Sequence, residues 1–234
     1  MSNSLKMRDR ALNVIPGGNS LLSKRSEMFS PSKWPGYFSS SNGIIVKDLD
    51  DKKYKDFSHF SVGTCSLGYS NIQINNAVKK IIDLGTMSTL NCPEEVILAE
   101  KLISMHSWAG KVRFARTGGE ANAVAIRVAR AATGKDKILI NGYHGWHDWY
   151  LSSNLQDKKN LDIHLIKNLQ TDGVPKALKN TVFPFKYNDF KGLSKIINDN
   201  PDIGVIKMEV IRNEAPKNNF LKKVRKLADN KKFV

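Results

Sequence analysis

The chain has 234 residues, of which 41% are apolar and 25% charged, proportions that are ordinary for a globular protein. No apolar run approaches the roughly 18 residues that suggest a membrane span, and the first residues contain no apolar signal-peptide core. The two cysteines, Cys65 and Cys92, have neither metal-site nor redox spacing. Together these features favour a cytoplasmic protein with no membrane partner.

The net charge of +15 is high enough to raise the question of nucleic-acid binding. The positive charge is spread along the whole chain, however, and no basic stripe with interleaved aromatic residues is present. The paired lysines are Lys52-Lys53, Lys79-Lys80, Lys158-Lys159, Lys222-Lys223 and Lys231-Lys232. The sequence therefore predicts no nucleic-acid partner.

The first hundred residues predict helices on either side of a small β-meander. Apolar residues at helical spacing indicate an amphipathic helix over 5–15, which the breaker Pro16-Gly17-Gly18 ends. A loop over 19–42 then leads into alternating apolar and polar residues at 44–58, which predict the meander. Two further helices are predicted, at 71–84 and 94–105.

From residue 111 onward, predicted strands and helices alternate. Short strands are predicted at 111–115 and 137–141, and the continuous apolar run at 203–210 predicts a buried strand. The predicted helices cover 119–133, 189–199 and 217–230. This alternation is typical of an α/β domain with a mostly parallel sheet and flanking helices.

A Gly-Gly turn separates the strand predicted at 111–115 from the helix that follows it. Thr117 and Glu120 have the spacing of a capping box, and Gly118 and Gly119 let backbone N–H groups approach a ligand. The field at a helix N-terminus favours an anion. The turn is therefore either a phosphate cradle or a plain capped helix, and it has neither the lysine of a P-loop nor the third glycine of a dinucleotide fingerprint.

The segment NGYHGWHDWY (141–150) directly follows a predicted strand and contains two histidines, two tryptophans and two tyrosines. Open α/β sheets bind ligands at the carboxyl ends of their strands, where an aromatic ring can stack on a flat cofactor. An aromatic-packed loop is one alternative. A metal site on His144, His147 and Asp148 is another, which is disfavoured because no further ligand set accompanies it.

A carboxylate, Glu209, lies at the end of the apolar run, and Arg212, Asn213 and Glu214 follow it. A carboxylate in this position either orients a cofactor or is a solvated strand end. Taken alone, the segment favours the solvated strand end.

In this order and spacing, the segments resemble class III aminotransferases, and especially the glutamate-1-semialdehyde 2,1-aminomutase group. The resemblance covers roughly residues 10–234. The similar segments are RALNVIPGGNS (10–20), IIVKDLDDKKYKDF (44–57), SLGYSNIQINNAV (66–78), FARTGGEANAVAIRVARAATGKDKI (114–138) and GYHGWHDW (142–149). The resemblance implies a pyridoxal-phosphate-dependent transferase of fold type I, with the active site at a homodimer interface.

The resemblance also implies the cofactor pyridoxal 5′-phosphate and roles for particular residues. Thr117, Gly118 and Gly119 would bind the phosphate through backbone N–H groups and the threonine hydroxyl. Tyr143 would stack on the pyridine ring, with His144 beside it. The family usually has a hydroxyl residue where Gly119 stands, so one side-chain contact to the phosphate is expected to be missing.

Three further residues have implied roles. Glu209 would lie under the cofactor, Asn213 is a weaker match because its spacing from Glu209 is one residue short, and Ser20 would lie near the substrate. We expect residues 1–65 to form an N-terminal segment and residues 66–234 to form an incomplete large cofactor-binding domain.

The chain is expected to stop before the residues that carry the chemistry. Lys232-Phe233-Val234 look like the start of another strand, and the family's aspartate for the pyridinium nitrogen should follow directly, with the Schiff-base lysine about thirty residues later. No lysine of this chain matches that position. We therefore expect a truncated chain that has no catalytic residue and is inactive alone.

For the full-length protein, the resemblance implies transfer of an amino group between amino and keto substrates. Intramolecular amino transfer, as in an aminomutase, is one alternative, and a non-catalytic phosphate-binding fragment is another. Trp146 stands where the aminomutases proper usually have histidine, which favours the aminotransferases.

Overall fold

The computed structural model of the protein describes residues 1–58 and 63–234, which divide into two units at Leu98 and Ala99. Residues 59–62, which belong to the predicted N-terminal segment, lie outside the described part. The division reflects where the chain contacts itself, and the predicted boundary between residues 65 and 66 stays a prediction. Among the described residues, no helix is both long and apolar enough to cross a membrane.

The first helix, α1 (Asn3–Val14), begins two residues earlier than the sequence predicts. It starts there because the Ser2 hydroxyl accepts a hydrogen bond from the Leu5 N–H, at 3.3 Å, and so caps the first turn. The predicted breaker ends it, with Gly17 in the left-handed region at φ 70°. Three short 3-10 turns follow, at Pro16–Gly18, Leu22–Lys24 and Ser26–Met28.

The predicted meander is present, but its first strand was missed. It consists of β1 (Phe38–Asn42), β2 (Ile45–Asp48) and β3 (Lys53–Lys55), paired antiparallel in chain order. Strand β1 lies inside the segment predicted to be a loop. It was missed because FSSSN has little intrinsic strand propensity, and it forms a strand by pairing with β2. The buried Asp48 holds the second turn by accepting hydrogen bonds from the N–H groups of Asp50 and Lys52.

Helices α2 (Ile72–Leu84) and α3 (Pro93–Met105) lie within one residue of their predicted starts. Asn71 caps α2, because its side-chain oxygen accepts hydrogen bonds from the N–H groups of Gln73 and Ile74. Neither helix has a buried residue.

The second unit is built on a parallel three-stranded sheet, as the sequence predicts. Strand β4 (Lys137–Asn141) lies between β5 (Val182–Pro184) and β6 (Ile203–Met208), and both neighbours run parallel to it. The helices of this unit are α4 (Gly118–Thr133), α5 (Asp148–Leu151), α6 (Phe190–Asp199) and α7 (Phe220–Lys231). Shorter 3-10 turns lie at Ser152–Leu155, Asn160–Ile163 and Lys176–Leu178.

Helices cover both faces of this sheet. Successive residues of a strand point to opposite faces, so Ile138 and Ile140 join one buried cluster while Leu139 joins the other. The first cluster contains Ile126 and Ala129 of α4. The second contains Leu193 and Ile197 of α6 and Phe220, Val224 and Ala228 of α7. Strand β4 is therefore fixed from both sides, and so is the point at which it ends.

The prediction of a strand at 111–115 was wrong. These residues form no strand in the described part of the chain, and Phe114 is exposed. Apolar alternation gave the segment strand propensity, but a strand also needs a partner for its backbone groups.

Val234 lies alongside β6. Its N–H donates to the carbonyl of Gly204, at 3.0 Å, and its own carbonyl accepts from the N–H of Ile206, at 2.8 Å. This is the hydrogen-bond pattern of a parallel neighbour.

Candidate functional site

The predicted capping box is present at the start of α4. The Thr117 hydroxyl oxygen accepts from the Glu120 N–H at 3.1 Å, and a Glu120 carboxylate oxygen accepts from the Thr117 N–H at 3.2 Å. The same carboxylate oxygen accepts from the Arg116 N–H at 3.0 Å. Three backbone donors are satisfied in this way, which fixes the Gly-Gly turn.

The cap leaves two donors of the turn available. Within residues 1–58 and 63–234, the N–H groups of Gly118 and Gly119 have no hydrogen-bond acceptor. A Cβ atom added to Gly118 would meet nothing within 4 Å, so the space beside it is open. The Thr117 hydroxyl accepts a bond from Glu120 and keeps its own hydrogen to donate. The turn therefore offers three donors at the positive end of a 16-residue helix.

The loop after β4 packs directly on this turn. A Cβ added to Gly145 would lie 3.2 Å from the Gly119 Cα, and a Cβ added to Gly119 would lie 2.6 Å from the His147 Nε2. The Asn122 side-chain amide also donates to the His144 carbonyl, at 3.1 Å. The start of α4 and the segment 142–147 thus form one continuous site.

Glu209 is tied into this loop and is not a solvated strand end. Its Oε1 accepts from the Tyr143 N–H at 3.1 Å, and its Oε2 is paired with the Arg212 Nε at 2.5 Å. Its side chain is 19% exposed. A Cβ on Gly142, which has φ 97°, would lie 2.6 Å from the Glu209 Cγ, so only glycine fits there. The carboxylate thereby fixes the backbone that presents Tyr143.

Tyr143 is half-buried and packs against the first cluster, with its ring edge-on to that of Tyr150 at 5.8 Å. Burial raises the pKa of the Tyr143 phenol and that of Tyr150, so both stay protonated at neutral pH. The Tyr150 hydroxyl donates to the Gly142 carbonyl at 3.1 Å and so supports the loop from beneath.

His144 points into the interior. Only 3% of it is exposed, and its Nε2 lies 2.8 Å from the Asn141 carbonyl, which can only accept, so this nitrogen carries the proton. Burial, with Lys207 as a secondary cause, lowers the His144 pKa to about 4. The ring is therefore neutral and serves as an internal support for the loop.

Contacts within the second unit connect Gly119, Tyr143, His144 and Glu209, whereas the roles of Asn213 and Ser20 stay predictions. Asn213 is exposed and has no hydrogen bond within the described part of the chain. Ser20 is exposed and belongs to the N-terminal unit. No group of three histidine, cysteine, aspartate or glutamate side chains in the described ranges is placed to hold a metal ion.

Sequence reasoning missed the contacts made by Asn122, Arg212 and His147. Arg212 has a readable signal, because it follows Glu209 by three residues. The other two contacts join segments more than twenty residues apart, and nothing in their local sequence marks them.

Comparison with solved structures identifies the fold. An omega-transaminase from Sphaerobacter thermophilus is 26% identical with a TM-score of 0.82, and the match covers all of this chain and 54% of that one. A glutamate-1-semialdehyde aminomutase from Pseudomonas aeruginosa has a TM-score of 0.75 at 17% identity, covering 98% of this chain and 50% of that one. The fold is that of the pyridoxal-phosphate-dependent transferases of fold type I, in its N-terminal part.

A sequence profile described as Aminotransferase class-III matches residues 32–234, and the chain belongs to this family. A 3-aminobutyryl-CoA aminotransferase from Cloacimonas acidaminovorans is 30% identical over 98% of this chain and 53% of that protein. A glutamate-1-semialdehyde 2,1-aminomutase from Nitrosopumilus maritimus is 35% identical over 97% of this chain and 52% of that protein. The chain thus spans about half the length of the curated relatives it matches.

Proposed function

We propose that this chain forms the phosphate-binding and ring-binding part of a class III aminotransferase similar to the glutamate-1-semialdehyde aminomutases. Pyridoxal 5′-phosphate is the cofactor of this family. The observation that carries the proposal is the junction at which the free donors of the Gly-Gly turn meet the loop that presents Tyr143.

The turn fits the phosphate end of the cofactor. Two free N–H groups, at Gly118 and Gly119, and the Thr117 hydroxyl would donate to phosphate oxygens, and the open space beside Gly118 admits the group. Because the capping box already holds the turn, these donors need little reorganisation when an anion binds.

The loop fits the ring end. Tyr143 would present its ring to the cofactor, while the Glu209 carboxylate holds the Tyr143 backbone and Tyr150 holds Gly142. His144 would support this arrangement through its hydrogen bond to the Asn141 carbonyl. Glu209 lies beside this loop, where it would support the residue that pairs with the ring nitrogen. Asn213 and Ser20 remain weaker candidates, Ser20 for the substrate.

When bound, pyridoxal phosphate supplies an electron sink that lets an amino group leave one carbon atom and join another. The residues of this chain bind and orient that group, and none of them is assigned as the lysine that would hold it covalently. The chain alone is therefore proposed to be inactive, and residues outside it would complete catalysis. The whole protein would be a cytoplasmic homodimer acting on an amino acid or an amino or keto compound.

Transfer between two substrates is favoured over transfer within one. Trp146 follows Gly145 in the ring-binding loop, and one similar relative is named as an aminotransferase. The intramolecular reaction is the second candidate, because several relatives are named as aminomutases.

The test is a comparison of pyridoxal phosphate with dephosphorylated pyridoxal. We expect the full chain to bind the phosphorylated compound at least tenfold more tightly, since each hydrogen bond to a charged group contributes about 1.5–3 kcal/mol. Equal affinity for the two compounds would contradict the proposed phosphate cradle. Formation of pyridoxamine phosphate from an added amino donor would instead contradict the expectation that this chain is inactive.

A further inference from the structure

The His147 imidazole covers Gly119 and has no role in the proposed phosphate site so far. We infer that His147 is a phosphate-binding residue, whose ring takes the place of a side chain at position 119 and donates to the phosphate of the bound cofactor. This inference rests on the proposed function.

The geometry places the ring in the cradle itself. The His147 Nε2 lies 2.6 Å, and the Cδ2 2.9 Å, from where a Cβ on Gly119 would stand. A side chain at position 119 and the imidazole in its present position therefore exclude each other. The ring nitrogen reaches the second residue of α4, next to the N–H groups that have no acceptor in the described part of the chain.

The His147 ring is held by packing and makes no hydrogen bond to the described part of the chain. It stacks on Trp146 with ring centroids 5.9 Å apart and planes at 22°, and the His147 carbonyl accepts from the Tyr150 and Leu151 N–H groups. The imidazole itself has no hydrogen bond within residues 1–58 and 63–234. The half-buried imidazole thus has a nitrogen without a hydrogen-bond partner in the described part of the chain, close to backbone N–H groups that also have none. Together these groups can donate hydrogen bonds to a bound anion.

His147 would thus supply the contact expected to be missing at Gly119. A hydroxyl side chain at that position and the imidazole at position 147 offer a donor to the same space from opposite sides. Either side chain could therefore supply the phosphate contact when the other is absent, but the two cannot occupy the site together.

The experiment is a reciprocal exchange in the full chain. Affinities for pyridoxal phosphate and for pyridoxal are measured by equilibrium binding in the wild type, His147→Ala, Gly119→Ser and the double variant. His106→Ala is the matched control, because His106 is an exposed histidine that also lies against a tryptophan, Trp108, at 5.7 Å.

The ratio of the two affinities isolates the phosphate contact. We expect His147→Ala to lower this ratio about tenfold, in line with one hydrogen bond to a charged group. Gly119→Ser alone should also lower the ratio, because its side chain and the His147 ring would collide and neither donor could take its proper place. The double variant removes the collision and should recover most of the ratio through the serine hydroxyl. His106→Ala should leave it unchanged.

The outcomes separate this inference from the proposed function. If the wild type shows no preference for the phosphorylated compound, the proposed cradle fails and the inference with it. If the wild type shows the preference and His147→Ala retains it, the assignment of His147 alone is overturned. Should His147→Ala fold poorly, His147→Phe gives the same test, because phenylalanine keeps a ring at this position but has no hydrogen to donate. A wild-type ratio in His147→Phe would also overturn the assignment.

Discussion

Helices α2 and α4 have similar apolar spacing but different surroundings. Helix α4 buries Ile126 and Ala129 in the cluster that also contains Ile138 and Ile140 of β4. Helix α2 has Ile74, Val78, Ile81 and Ile82 at the same kind of spacing and buries none of its residues. The spacing of apolar residues thus predicts a helix, but what the helix packs against decides how much it contributes to stability.

Truncation of a buried residue and of an exposed one gives the widest contrast between these regions. Ile140→Ala should destabilise the chain by about 2–5 kcal/mol, because it leaves a cavity at a fully buried position. Ile82→Ala, in α2, should change stability by about 0.5 kcal/mol or less, since that side chain is 57% exposed. Denaturant unfolding of both variants measures the difference, and similar losses would show that α2 is as tightly packed as β4.

Acid should destabilise the region around β4 through His144. Its pKa is lowered from 6.5 to about 4 in the folded chain, mainly by burial, so between those values the unfolded chain binds a proton that the folded chain does not. Stability is therefore retained above pH 6.5 and falls as the pH is lowered toward 4, by about 2 kcal/mol at pH 5.

The variant His144→Gln isolates this effect, because glutamine keeps an amide donor for the Asn141 carbonyl and does not titrate. The loss between pH 7 and pH 5, measured by denaturant unfolding, should be smaller in this variant than in the wild type. The exposed His106→Gln serves as the control and should keep the full loss. An unchanged pH dependence in His144→Gln would contradict the assignment.

Removing one backbone donor from the turn tests binding separately from folding. Proline suits the first position of a helix, and Thr117, with φ −131° and ψ 158°, already has the extended backbone that precedes proline. Gly118→Pro should therefore fold with its stability kept or slightly raised, yet bind pyridoxal phosphate about tenfold more weakly. Gly118→Ala keeps the N–H and is the matched control; equal binding by the two variants would exclude this donor.

The smallest effect is expected at the surface of α7. Arg225 and Asp229 form an ion pair four residues apart, with side chains 61% and 62% exposed. Arg225→Ala should change stability by about 0.5 kcal/mol or less, because water screens such pairs. Lys226→Ala, which removes a charge with no ion pair in the described part of the chain, is the control, and a loss above 1 kcal/mol for Arg225→Ala alone would be unexpected.

Much of the fold could be predicted because local signals agree with packing. Two elements show this agreement. The apolar run at 203–210 marks a buried strand, and the helix after the Gly-Gly turn has a capping box at its start and apolar residues at helical spacing. The strand prediction for 111–115 was wrong because this segment has no partner strand in the described part of the chain. Strand β1 was missed because its serines give no local strand signal and the strand forms by pairing with β2.

The site was predictable in its parts but not in its connections. Thr117, Tyr143 and Glu209 follow recognisable patterns, yet the bond from the Tyr143 N–H to Glu209 depends on the register of β6 against β4. The approach of His147 to Gly119 depends on Gly145, whose φ of 105° turns the loop back onto α4. Such contacts arise from tertiary geometry, which no local pattern encodes.

Strand β4 has hydrogen-bonded neighbours on both sides, and its residues 138–140 are fully buried. Amide hydrogens in such a position exchange with solvent only when a large part of the unit opens, whereas those of exposed segments exchange through local motion. The loop that presents Tyr143 begins one residue after this strand. The base of this loop therefore stays fixed for as long as the unit remains folded.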